Sequence, residues 1–121
     1  MELYFPNGIP GFENIHRYRL QELADQFAVM EAQDGSGVRF FLLKVKGIPE
    51  LEARYAHLRS KNGVKNGQEL YCILIFRKKD GKVMVNLQAP LLIDSEKQSG
   101  EQVVIDDPSL ARDYVLMQAT C

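Results

Sequence analysis

Cysteine is scarce in this 121-residue chain, with Cys72 and Cys121 the only two. They form neither a CxxC pair nor a metal-ligand spacing. Cys72 lies in the apolar run Leu70–Phe76 and reads as a small buried hydrophobe; so little sulfur suits a reducing compartment. Histidine is equally rare. His16 falls on a predicted strand and His57 on a predicted helix, and neither has a Cys or a second His at ligand spacing, which argues against a metal site. Also missing are the G-x-S-x-G, Walker A and dinucleotide-binding fingerprints. Gly8, Gly11, Gly35 and Gly37 do not follow a strand and open a helix in the way phosphate binding requires. Asp106 and Asp107 are adjacent, and neighbours on a strand point to opposite faces, so they are not placed to share a proton or a metal. They read as a solvated turn before Pro108. No apolar run approaches the ~20 residues of a membrane span, and Met1–Phe5 leads directly into Pro-Asn-Gly rather than a signal sequence. These absences predict a cytoplasmic protein that is not an enzyme, with no catalytic residue, no metal and no cofactor.

Neither sign of charge dominates. Fifteen basic and 16 acidic residues leave a net charge of -1, without the basic excess of a general nucleic-acid binder. The charge is unevenly spread. From Lys61 to Lys82 there are six basic residues against Glu69 and Asp80. From Asp94 to Asp113 there are six acidic residues against Lys97 and Arg112. Such segments can steer a charged partner, although solvated loops and strand ends account for them as well. The turn Arg77–Lys82 reads as a soluble hairpin end rather than an RNA contact.

What is present is a series of short β runs separated by turn signals. The length fits one domain, and the 45% hydrophobic content supports an ordinary core. Leu3–Phe5 is a short extended stub. Ile15–Leu20 and Phe27–Glu31 read as strands, with Gln21–Gln26 between them as a turn or one helical turn. Asp34-Gly35-Ser36-Gly37 is a strong turn before the buried strand Val38–Val45. Pro49 opens a predicted helix, with Leu51, Tyr55 and Leu58 on one stripe and a stop at Lys61-Asn62-Gly63. Leu70–Phe76 is a fully apolar strand, turned at Lys79–Lys82. Val83–Ile93 returns as a strand interrupted at Pro90, because proline cannot donate to a sheet ladder. Ser95–Gly100 reads as a polar loop, Gln102–Ile105 as a short strand, and Ser109–Met117 as either a helical turn or a last strand. The pattern predicts a mainly β, small antiparallel barrel-like single domain with one short helix. An interior filled by side chains such as Phe40, Leu42, Ile73, Ile75 and Leu87 would count against a ligand pocket inside it.

Two stretches are conformationally constrained. Gly8-Ile9-Pro10-Gly11-Phe12-Glu13 fixes a loop with two glycines and a proline, presenting Ile9 and Phe12 on a rigid frame. Val85-Asn86-Leu87-Gln88-Ala89-Pro90-Leu91 places a bulge-prone proline in an apolar strand. Each reads equally as a structural device or as part of a protein-docking surface, where rigidity limits the entropy lost on binding.

These two stretches, GIPGFE preceded by Phe5 and Asn7, and VNLQAPLLID from Val85 to Asp94, resemble the signatures of the FliW family of bacterial flagellar assembly factors. Gly100, Gln102-Val103-Val104 and Tyr114 are similar as well, in the same order. The resemblance implies a β-barrel-like single domain over residues 1–121, lacking an N-terminal strand usual in the family, and no catalysis. It implies two protein partners: cytoplasmic flagellin, and the RNA-binding carbon storage regulator, whose repression of flagellin translation the family antagonises away from the RNA-contacting surface. Candidate partner-contacting residues are Ile9, Phe12, Glu13, Asn86, Gln88 and Glu101. The other reading of the apolar strands is a small-ligand β-barrel protein or enzyme with an internal pocket.

Overall fold

The computed structural model describes residues 1–56, 67–110, 112 and 114–118. Among these the chain forms β1 (Glu2–Tyr4), β2 (Arg17–Ala24), β3 (Phe27–Ala32), β4 (Arg39–Lys44), helix α1 (Pro49–Arg54), β5 (Gln68–Arg77), β6 (Lys82–Val85), β7 (Leu91–Asp94), β8 (Ser99–Gln102) and β9 (Tyr114–Gln118). Seven strands close into a ring in the order β4-β3-β2-β1-β8-β7-β5, with β5 pairing back to β4. All neighbours are antiparallel except β1 and β8, which meet in parallel at Tyr4↔Ser99. Strand β5 serves two sheets. Gln68–Tyr71 pairs with β7 and Tyr71–Ile73 with β4, while Leu74–Arg77 leaves the ring to pair with β6, which pairs in turn with β9. The expected antiparallel barrel is therefore present, with a three-stranded flap attached.

Strand parity divides the apolar residues between two layers. Tyr18 and Leu20 on β2, Ala28, Met30 and Ala32 on β3, Leu42 on β4, Tyr71 on β5, and Leu91 and Ile93 on β7 pack together as the inner core, with Phe40 and Ile73 against it. The alternate residues Leu43, Leu70, Cys72, Leu74 and Leu92 form an outer core with Val45, Leu51 and Tyr55. β4 and β5 read as continuous apolar runs because both their faces are covered over part of their length. On the inward parity of β2, β4 and β5, the Lys44 ammonium lies 3.6 Å from Glu22 and 3.2 Å from Glu69, a charged rim to the inner core.

Helix α1 begins with Pro49 in its first turn and carries Glu50 and Glu52 there, with Arg54 in the last turn, the charge order the helix dipole favours. Its buried Leu51 and the adjoining Tyr55 reach the outer core. The Tyr55 hydroxyl donates to the Leu87 carbonyl at 2.6 Å and lies 3.6 Å from Cys72 Sγ. The predicted continuation to Leu58, the stop at Lys61–Gly63 and His57 lie outside the described residues.

Several boundaries differ from expectation. Gln21–Gln26, expected as a turn or one helical turn, is a turn only at Asp25–Gln26: β2 continues to Ala24, with a register shift between Glu22 and Ala24. The strand expected over Val83–Ile93 with an interruption at Pro90 is two strands, β7 starting directly after Pro90, and the break is wider than expected because β6 and β7 pair with different halves of β5. The strand expected at Gln102–Ile105 is displaced to Ser99–Gln102. A Cβ at Gly100 would sit 2.4 Å from the ring of Phe5, so this polar, glycine-containing strand packs by having no side chain there. Within the tail Ser109–Met117, the residues from Tyr114 belong to a strand, β9.

Candidate functional site

The first constrained loop folds back on itself over the inner core. Phe5 N donates to the His16 carbonyl (2.7 Å), Gly8 N to Phe5 (3.0 Å), Phe12 N to Ile9 (2.6 Å) and Ile15 N to Phe12 (3.0 Å). Gly8 has φ of 66°, and a Cβ there would lie 2.7 Å from the Glu13 backbone, so the position requires glycine. Phe5, Ile9 and Ile15 are all buried in the inner core. Ile9 is thus not presented to solvent as the loop pattern suggested: it is 2% exposed. Phe12 stays 37% exposed and stacks edge to face on Phe40 with centroids 5.2 Å apart. Glu13 is exposed, and its carboxylate accepts the Gly11 N–H at 2.9 Å. That bond holds its carboxyl below the usual carboxylate range. His16 Nδ1 lies 2.8 Å from the Phe5 carbonyl, a structural contact.

The second stretch gives Val85 and Leu87 to the outer core and Leu91 to the inner one. Val85, Leu87 and Pro90 are fully buried. Asn86 Oδ1 accepts the Gln88 N–H at 2.9 Å. Gln88 Nε2 donates to the carbonyls of Asp107 (3.1 Å) and Leu110 (2.9 Å), and its Oε1 accepts from Arg112 Nε at 2.9 Å. Ile105 N donates to the Gln88 carbonyl at 2.7 Å. Gln88 therefore clamps the segment leading to β9, and its amide is already engaged. Asp107 Oδ1 accepts from Ser109 N and Oγ at 2.9 and 2.7 Å, which gives this acid a turn-forming role.

Glu101 projects from β8 into a polar cleft of about 250 Å3 lined also by Pro6, Asn7, Gln68, Asp94 and Lys97. The cleft joins the first loop to β5, β7 and β8, whereas Asn86 and Gln88 do not line it. The six candidate residues therefore do not form one patch. Phe12, Glu13 and Glu101 are exposed, Ile9 is core, and Asn86 and Gln88 support the outer layer. The acid in the cleft that is already committed is Asp94, whose Oδ1 accepts the N–H groups of Glu96 and Lys97, each at 3.0 Å, holding its carboxyl below the usual range. It has no proton to donate near neutral pH. Among the described residues no group of three or more His, Cys, Asp or Glu is placed to hold a metal ion.

The fully apolar run Leu70–Phe76 is buried over only part of its length. Leu70, Tyr71, Cys72 and Leu74 are core, but Ile75 is 48% and Phe76 57% exposed. Leu87 belongs to the outer core rather than to the barrel interior. Phe5, Tyr18, Met30, Leu42 and Leu91 instead fill the interior with fully buried side chains. In the basic turn, Arg77 Nε lies 3.0 and 3.1 Å from the two Asp80 carboxylate oxygens, and Lys82 Nζ lies 3.8 Å from Asp80.

Comparison with known proteins agrees with this geometry. The family model described as FliW protein matches residues 1–116. A flagellar assembly factor FliW of Ruminiclostridium cellulolyticum is 28% identical over 121 residues, covering 93% of this chain and 81% of that protein. The one from Borrelia duttonii is 27% identical over 112 residues, covering 86% of this chain and 84% of its own. A crystal structure of the flagellar assembly factor FliW superposes with a TM-score of 0.73 at 22% identity, over 99% of this chain and 88% of that one, so the two share a fold.

Proposed function

This chain belongs to the FliW family of flagellar assembly factors, and from that premise we propose that it acts in the cytoplasm, without catalysis, by binding two protein partners. One is flagellin before export. The other is the carbon storage regulator, whose repression of flagellin translation it relieves. Flagellin and regulator draw on the same pool of this protein, so that consumption of flagellin frees it to act on the regulator. The coupling is a binding free energy shared between two partners.

The observation that carries the reading is the family match over nearly the whole chain. The packing supports it. The barrel interior is occupied by large side chains, which leaves little for a small ligand, so recognition falls to the outer surface. The glycine-constrained loop and the Gln88 clamp stiffen that surface from beneath, which lowers the entropy lost when a partner docks. No helix of the described residues is long and apolar enough to cross a membrane.

Calorimetric titration with flagellin and with the carbon storage regulator of the same organism tests the proposal. The expected result is saturable binding to each, with flagellin pre-loading abolishing the effect on regulator-bound RNA. Silence with both proteins overturns it.

A further inference from the structure

The outer apolar face of the barrel is only partly roofed. Leu43, Cys72 and Leu74 pack with Leu51 and Tyr55. Along the same outward parity the strip continues into the open. Leu23, Phe27, Phe41, Phe76 and Val83, with Ala28 and Leu74, line a groove of about 290 Å3. Leu23 is 54%, Phe27 36%, Phe41 37% and Phe76 57% exposed. The groove sits where β4 and β5 part. Their pairing ends at Leu42↔Ile73, and β5 then turns away to β6. The rings of Phe41 and Phe76 meet edge to face across that opening, 5.7 Å apart. Several large apolar side chains exposed at one place, with no polar residue among the described lining, mark an interaction site rather than scattered surface hydrophobes.

The charge beside the groove narrows the occupant. Phe76 and Val83 are cross-strand partners at the base of the β5–β6 turn. That turn holds Arg77, Lys78, Lys79 and Lys82 against Asp80 alone, four positive charges and one negative, a net of +3. Asp80 is the shared counter-ion of Arg77 and Lys82, while Lys78 and Lys79 are exposed at the tip. A cationic end on an apolar trough complements a segment with apolar anchors and carboxylates next to them.

We propose that this groove binds a segment of a partner polypeptide in which two or three large apolar side chains lie beside a run of acidic residues. The apolar side chains fill the trough between Phe27, Phe41 and Phe76, and the carboxylates face Lys78 and Lys79. That the occupant is a polypeptide rests on the protein-binding role proposed above; the chemistry of the trough does not.

The test uses a fluorescein-labelled synthetic peptide of Phe and Leu at alternate positions followed by glutamates, read by fluorescence polarisation against the full chain. The glutamate peptide is expected to bind at least ten-fold tighter than its lysine counterpart. The Phe41→Ser/Phe76→Ser double variant should lose at least ten-fold, Phe76→Leu should bind as the parent does, and Lys78→Glu/Lys79→Glu should reverse the charge preference. Thermal melts run alongside separate lost binding from lost folding. No binding of the glutamate peptide, or equal binding by a folded double serine variant, overturns the proposal. So does a parent protein that sediments as a dimer and is made monomeric by Phe76→Ser, which would assign the groove to a second copy. Titrating flagellin and the regulator in parallel keeps the two readings distinct. If neither binds while the peptide does, the partner assignment fails and the groove stands.

Discussion

The barrel interior and the apolar layer outside it are made from alternate residues of the same strands: Leu42 and Leu43 on β4, Tyr71 and Cys72 on β5, Leu91 and Leu92 on β7. They are closed in different ways. The inner layer is enclosed by the ring itself and by the glycine-constrained loop that inserts Phe5, Ile9 and Ile15. The outer layer depends on a six-residue helix and on the segment containing Ile105 and Leu110, held down by Gln88. Among the described residues its cover stops short, and the uncovered remainder is the trough around Phe41 and Phe76. An enclosed layer supplies stability, whereas an incompletely covered one leaves surface for a partner.

Substitutions can break or sharpen this contrast. Pro90 is fully buried where β6 gives way to β7, and Pro90→Asp puts an unpaired carboxylate there. A loss of about 4 kcal/mol, visible as failure to fold or a collapsed urea midpoint, is expected. Leu42→Ala hollows the inner layer and should cost about 3 kcal/mol in denaturant unfolding. Tyr55→Phe removes the 2.6 Å bond to the Leu87 carbonyl in the outer layer. That change should cost about 1–2 kcal/mol, less than the inner cavity. If Leu42→Ala proves milder than Tyr55→Phe, the ranking of the two layers is wrong.

Alkaline pH probes the same difference. Burial pushes the Cys72 thiol from an ordinary 9.0 up to about 11, and it also raises the Tyr55 hydroxyl. In the unfolded chain these groups lose their protons first, so above pH 9 the unfolded state binds fewer protons and stability falls as pH rises. The Cys72 contribution is intact below about pH 9 and is lost as pH climbs through about 11. Melting temperatures from pH 8 to 11 should decline, and Cys72→Ala should flatten the decline. The smallest effect is expected at the trough: Phe76→Ser should change stability by no more than about 0.5 kcal/mol. A loss above 1.5 kcal/mol would make Phe76 a core residue and erase the distinction drawn here.

Much of this architecture was legible in the chain. Alternation and turn chemistry located β3, β4, the β5–β6 hairpin and the start of α1, because each runs from a clear apolar pattern into Gly, Asp or Pro. Ser99–Gln102 was not legible as a strand. It has no apolar alternation, and its place is set by how Gly100 fits against Phe5, a contact between distant parts of the chain. Gln21–Ala24 was missed for a related reason: it is an exposed stretch of β2 held by pairing with β3. The candidate site was less legible than the fold. Constraint in the loop around Ile9 and at Gln88 was visible, but constraint is shared by docking loops and by scaffolding. Ile9 is buried and Gln88 is used internally. Conversely, nothing in LYCILIF signals that its last two residues outrun their cover, since exposure there follows from where β5 leaves β4.

The single parallel contact that seals the ring, Tyr4 against Ser99, backed by Tyr4 N donating to the Gln98 carbonyl at 2.9 Å, ties β1 to a strand that comes after all the other strands of the ring. During synthesis β1 to β5 can pair in succession and β6 and β7 can then join β5, but both β1 and β7 wait for β8 to emerge from the ribosome. Until then the nascent chain carries open sheet edges at β1 and β7, besides the edge of β6 that waits for β9, the surfaces most prone to pair with a neighbour. Closure across so long a loop is also among the slower events in folding. A chain truncated before Ser99 is accordingly expected to aggregate rather than persist as a smaller barrel.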